Sequence, residues 1–200
     1  SKEIRNEISR ISKENAKLAS DFSTNIAEGT PVLEFDESQL RGCFEEFLSV
    51  RRLKNGKIKV TLVSSETLHI LQNCSIRDTR EEVKKVSMNY AKESNWAILP
   101  SFLNNIERIA QLAGYKNYAD LSTEDKMIQS SEKAADFIKE LIDSTQARVE
   151  LELSLIKKSK KELGDDSELS YADIDYYSSQ IASKLSSIDE EALKEYFPYK

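Results

Sequence analysis

Asn55-Gly56-Lys57-Ile58-Lys59-Val60-Thr61-Leu62 is the stretch on which the fold class turns. Ile58, Val60 and Leu62 alternate with Lys57, Lys59 and Thr61, the period-two pattern of a strand with one buried and one wet face. Asn55-Gly56 in front of it is a turn signal, because both residue types tolerate positive φ. Upstream, the short apolar segment 32–35 is a plausible partner strand. This small β element is the clear break in a chain that otherwise carries helical periodicity. The reading is therefore a mainly α fold: a helical array with one small β hairpin or short sheet element.

Working outward, Ile4, Ile8, Ile11, Leu18, Phe22 and Ile26 recur at helical spacing and predict one amphipathic helix over roughly 2–27. Gly29 supplies a stop, and Pro31 opposes continuation. Asp36 offers an N-cap oxygen with Gln39 in capping-box spacing, which starts a short helix over about 37–42. Further helices are expected over 66–73 and from a Ser75 cap to about Lys92. The next is capped at Asn95 or begins at Pro100, which otherwise kinks it, and it ends at Gly114. Ser130 or Ser131 caps a long helix carrying Phe137, Leu141, Ile142, Val149, Leu153 and Ile156, which ends near Gly164. A polar loop over 165–168, a helix over 170–185 and a last helix opened by Ser187 and Glu190 complete the chain, which stops its helical pattern before Pro198. There is no internal repeat and no Pro/Gly-rich linker, which favours one continuous body.

The 200 residues are enough for a sizeable core. Few glycines and prolines suit helices, and the formal net charge of -6 argues against a general nucleic-acid-binding surface. No stretch is long and apolar enough to span a membrane, and no signal-peptide core opens the chain. Cys43 and Cys74 lie far apart without C-x-x-C spacing, so reduced, structural thiols in a cytoplasmic protein are expected. Ser1 at the first position fits methionine removal, a cleaved tag or truncation.

Each chemically suggestive cluster has a plainer reading. His69, the single histidine, has no histidine at i+4 and no glutamate at i+1, so a structural or surface role is preferred to metal ligation. Asp165, Asp166 and Glu168 fail the calcium-loop pattern, which needs glycine and glutamate where Ser170 and Tyr176 stand. Asp173, Asp175, Tyr176 and Tyr177 could line a peptide groove, but tyrosines at helical spacing are first read as core or boundary residues. Lys157, Lys158, Lys160 and Lys161 are read as cations complementing a helix C-terminus. No phosphate loop, nucleophile elbow or paired Cys/His site appears. No catalytic or metal-binding residue is assigned, and substrate-binding residues are left unknown.

Several segments, in order, resemble one family. Gly114-Tyr115-Lys116-Asn117-Tyr118-Ala119-Asp120 followed by Glu124-Asp125-Lys126-Met127 is the strongest. The others are Asp21-Phe22-Ser23-Thr24-Asn25, Leu33-Glu34-Phe35, Gly56 to Leu62, Asp78-Thr79-Arg80, Asp175-Tyr176-Tyr177 and Leu193-Lys194-Glu195-Tyr196-Phe197-Pro198. Together they resemble the thimet oligopeptidase, neurolysin and saccharolysin family of zinc endopeptidases across nearly the whole chain. There are departures. Val63 to Ile70 replaces the family's histidine-containing segment, with Glu66 rather than His69 at the histidine position, and Leu121-Ser122-Thr123 replaces a more hydrophobic run.

The resemblance implies a helical fold and a place in the middle, non-catalytic portion, where it forms the wall of a channel admitting short peptides. That family hydrolyses peptides with an H-E-x-x-H helix, which a chain with one histidine cannot supply. The implied zinc and the catalytic half therefore belong to the parent protein, and this chain alone is expected to hold no cofactor and to be inactive. Short peptides and the catalytic half of the same protein are the implied partners. The alternative is a stand-alone helical binding or scaffold module, or an inactive paralogue regulating an intact peptidase.

Overall fold

A computed structural model of the chain describes residues 1–186 and Tyr196. The Ser187/Glu190 capping box and, except for Tyr196, the Leu193 to Pro198 segment lie outside the described residues. The elements are α1 (Lys2–Glu28), β1 (Val32–Phe35), a 3-10 turn (Glu37–Leu40), α2 (Glu45–Ser49), β2 (Ile58–Thr61), α3 (Ser64–Asn73), α4 (Arg77–Ser87), α5 (Lys92–Ala113), α6 (Tyr118–Thr123), α7 (Ser131–Glu162) and α8 (Tyr171–Ser186). The fold is mainly α with a single two-stranded antiparallel sheet among the described residues. The chain divides into two compact units, Ser1–Thr30 with Asn89–Val149 and Pro31–Met88 with Glu150–Lys200.

In the second unit, β1 pairs with β2 in the register Val32↔Thr61, Leu33↔Val60, Glu34↔Lys59 and Phe35↔Ile58. The Asn55-Gly56 turn takes positive φ only at Gly56, at 85°, while the Asn55 side chain accepts the Lys57 N–H at 3.1 Å. The alternation puts Ile58, Val60 and Leu62 inward at 0–2% exposure. They pack with Phe35, Leu40, Phe47, Ile70, Leu71, Cys74 and Val83 in one core, so α2, α3 and α4 cover the sheet's apolar face. Roughly 1.5–3 kcal/mol per fully buried large apolar side chain makes this cluster the main source of the unit's stability.

The first unit is built on the antiparallel pair α1 and α5. Glu7 bonds Arg108, Asn15 donates to the Phe102 carbonyl at 3.4 Å, and Asn95 donates to the Phe22 carbonyl at 3.2 Å. Gly114 closes α5 in the left-handed conformation at φ 92°, as its position predicts. Asn117 then caps α6, accepting the Asp120 N–H at 2.9 Å.

Several boundaries depart from the local signals. Helix α4 begins at Arg77 after Ile76 and ends at Ser87, short of Lys92; Ser75 does not cap it but donates its hydroxyl to the Arg41 carbonyl at 3.0 Å. Helix α5 starts at Lys92 and runs through both Asn95 and Pro100. Pro100 is exposed, so its ring takes no space in the α1 contact, and the missing N–H lies on the wet side. Asn95 is buried because its amide joins helices, donating to Phe22 and accepting from Asn25 Nδ2 at 2.9 Å. Helices α2 and α6 are too short to show a period, and their sequences do not predict them.

Candidate functional site

Among the described residues, two places concentrate chemistry, one in each unit. In the second unit, α4, the end of α7 and the start of α8 bring charged groups into the interior. Arg80 and Asp173 are 1% and 0% exposed, and Arg80 Nη2 donates to Asp173 Oδ1 at 2.9 Å. Lys160 is also buried, and its ammonium reaches Asp173 Oδ2 at 3.0 Å and Asp165 Oδ2 at 2.5 Å. Tyr177 donates its hydroxyl to Asp165 at 3.0 Å, and the Arg80 guanidinium lies 4.3 Å from the Tyr176 ring centre. The remaining Arg80 donors go to the Cys74 carbonyl at 2.9 Å and the Ala172 carbonyl at 3.3 Å.

The electrostatics follow from this pairing. Burial alone would raise Asp173, but the Ser170 N–H, Arg80 and Lys160 outweigh it and hold the carboxyl below its usual range. Asp165 behaves alike: burial raises it, while Lys160, Ser167 and Tyr177 bring it well below the ordinary carboxylate range. Tyr177 is pushed up to about 12 by burial and by the Asp165 charge it donates to. No carboxyl here is poised to exchange a proton near neutrality, so the cluster is a clamp between helices rather than an acid–base site.

The clusters marked by the sequence meet different fates in the fold. Asp173 and Tyr177 are buried and the half-buried Tyr176 meets them at Arg80, while Asp175 pairs with Lys84 at 3.3 Å. Asp165 belongs to the clamp instead of a solvated loop. Lys157, Lys158 and Lys161 sit exposed at the α7 terminus as dipole cations would, but Lys160 is an interior ion-pair partner. The interior roles of Arg80 and Lys160 are what the sequence reading misses. Their signal is phase: Arg80 lies three residues before Val83, and Lys160 four after Ile156, each charge falling in a buried stripe. His69 stacks on Phe47 with ring centres 4.0 Å apart and meets Phe44 edge-on; burial and then Arg51 lower its pKa. Among the described residues, no three His, Cys, Asp or Glu side chains are grouped to hold a metal ion.

The second place is an open groove of about 830 Å³ in the first unit, between α1, α5 and α6. Ala16 and Ala19 leave room on one side; Phe102, Ile106, Ile109 and Leu121 form the apolar wall, and Glu124, Asp125 and Lys126 stand at the rim, with Lys126 paired to Asp125 at 2.9 Å. The groove can take an apolar side chain. The Gly114 to Asp120 motif builds its border, and the Tyr115 hydroxyl bonds Glu124.

The family model of Peptidase family M3 matches residues 70–200. The chain belongs to this family of peptidases. It is 27% identical to the probable thimet oligopeptidase of Arabidopsis thaliana over 97% of this chain and 28% of that protein. It is 28% identical to oligopeptidase A of Escherichia coli (strain K12) over 98% of this chain and 31% of that protein. It is 27% identical to saccharolysin of Saccharomyces cerevisiae over 96% of this chain and 28% of that protein. The chain thus spans under a third of the length of these relatives.

Proposed function

We propose that this chain is the non-catalytic helical portion of a zinc-dependent oligopeptidase and contributes the wall of a channel that takes short peptides. The observation that carries this reading is the coverage: nearly all of the chain aligns with under a third of each oligopeptidase. A further support is chemical. Hydrolysis through a bound metal needs ligands to hold the ion, a polarised carbonyl and a carboxylate general base, and one histidine cannot build an H-E-x-x-H site. In this reading the catalytic half and its zinc lie elsewhere in the parent protein, and this portion orients the peptide. The groove beside α1 and α5 is its candidate contact, its apolar wall suited to an apolar side chain of the peptide. Free thiols and a relative called probable cytosolic oligopeptidase A support a cytoplasmic setting.

Cleavage of a quenched fluorescent peptide tests the proposal, with the 200-residue chain and a chain extended into the family's catalytic region compared, each with and without a chelator. Activity is expected only from the extended chain and only without chelator. Chelator-sensitive cleavage by the short chain would overturn the reading. A natural reading frame that stops without H-E-x-x-H would favour the scaffold or inactive-paralogue reading.

A further inference from the structure

Cys43 and Cys74 share no sequence motif, yet the fold of the second unit brings them together. Gly42, at φ 96°, passes so close to α3 that a β-carbon there would collide with the Asn73 carbonyl. On the other side of that contact, the Ser75 N–H donates to the Arg41 carbonyl at 2.7 Å. These backbone contacts hold the segments 41–43 and 73–75 side by side, with Cys43 packed against the core cluster that contains Cys74, whose thiol donates to the Gln39 carbonyl at 3.2 Å. Both are free thiols; Cys74 is fully buried and Cys43 half-buried.

We propose that Cys43 and Cys74 form a redox-modification site that closes into an intrachain disulfide under peroxide. The link would tie the segment after the 3-10 turn to the α3–α4 joint. The close approach of the two backbones at Gly42 and Asn73 is the condition that closure requires. The neighbouring Cys43 thiol, Arg80 and Thr79 lower Cys74, while Cys43 is pushed up, so Cys74 is the first nucleophile. Peroxide is small enough to reach the pair from the half-buried Cys43 side.

In the first step the Cys74 thiolate attacks one peroxide oxygen. The O–O bond breaks, Cys74 becomes a sulfenic acid, and the departing hydroxide takes the Cys43 proton as water. The Cys43 thiolate then attacks the Cys74 sulfur, the S–O bond breaks, and hydroxide leaves to be protonated by solvent. Two thiols and one peroxide yield one disulfide and two waters; each sulfur loses one electron and peroxide gains two.

Mass spectrometry of the intact chain after a small molar excess of hydrogen peroxide at neutral pH tests this. The expected product has lost two hydrogens, contains a linked Cys43–Cys74 peptide and has no titratable thiol. Its thermal midpoint is expected to rise by about 5 °C, since the closed loop restricts the unfolded chain, and dithiothreitol is expected to reverse both changes. Cys43→Ser is expected to gain oxygen on Cys74 instead. An unchanged mass, oxygen gain on the unmodified chain or disulfide-linked dimers would each overturn the proposal, and these outcomes are read on the natural sequence, independently of any variant's folding.

Discussion

Arg80 shows what a single charge can do in an interior. It is 1% exposed and spends its donors on Asp173, the Cys74 carbonyl and the Ala172 carbonyl, which ties α4 to α8 and to the α3–α4 joint. Removing one partner of such a group leaves the others buried and uncompensated. Arg80→Ala is therefore expected to lower the stability of the second unit by about 3–5 kcal/mol, measured by urea unfolding. Replacing the charges together, Arg80→Met with Asp173→Leu and Lys160→Met, is expected to cost far less, because no unpaired ion remains. A loss below about 1 kcal/mol for Arg80→Ala would show that the clamp carries little.

At the scale of elements, α1 and α5 bury two asparagines, Asn15 and Asn95, beside the buried apolar residues Ile11 and Ala110. Asn95→Ala deletes a donor to Phe22 and an acceptor for Asn25, and is expected to destabilise the first unit by about 1–3 kcal/mol. An unchanged midpoint of the helical signal on thermal unfolding would contradict this. Helix α7 has the opposite character. Every residue from 135 to 150 is exposed, yet Phe137, Ile138, Leu141, Ile142 and Val149 fall within one arc of about 140° at 100° per residue. Such a stripe binds apolar dyes and promotes association. Phe137→Glu with Leu141→Glu is expected to reduce 1-anilinonaphthalene-8-sulfonate fluorescence by about half while leaving the urea midpoint in place. Unchanged dye binding would show that the stripe is covered in solution.

For the molecule as a whole, acid should act first through the second unit. Asp165 and Asp173 have folded pKa values below the ordinary 3.8, so their stabilisation is complete above that value and is lost as pH falls through the lower folded values. Urea midpoints are expected to decline below about pH 4, and the decline is expected to flatten in Asp173→Asn; the same slope in that variant would remove Asp173 from the account. Much of the architecture was legible locally. Periodicity marked α1, α7 and α8, Gly114 marked the end of α5, and alternation after Gly56 marked β2 and its buried face, because each signal lies within a few residues of what it specifies. The single histidine likewise settled by composition that no H-E-x-x-H site stands in these residues. Other features depended on partners distant in sequence. Asn95 reads as a cap until α1 supplies Phe22 and Asn25, and Lys160 reads as a surface cation until Asp165 and Asp173 surround it. Cys43 and Cys74 read as unrelated thiols until Gly42 lets two backbones touch. Hydrophobic period is a property of one segment, whereas the burial of a charge or the meeting of two thiols is a property of the packed chain, and only the tertiary structure decides it.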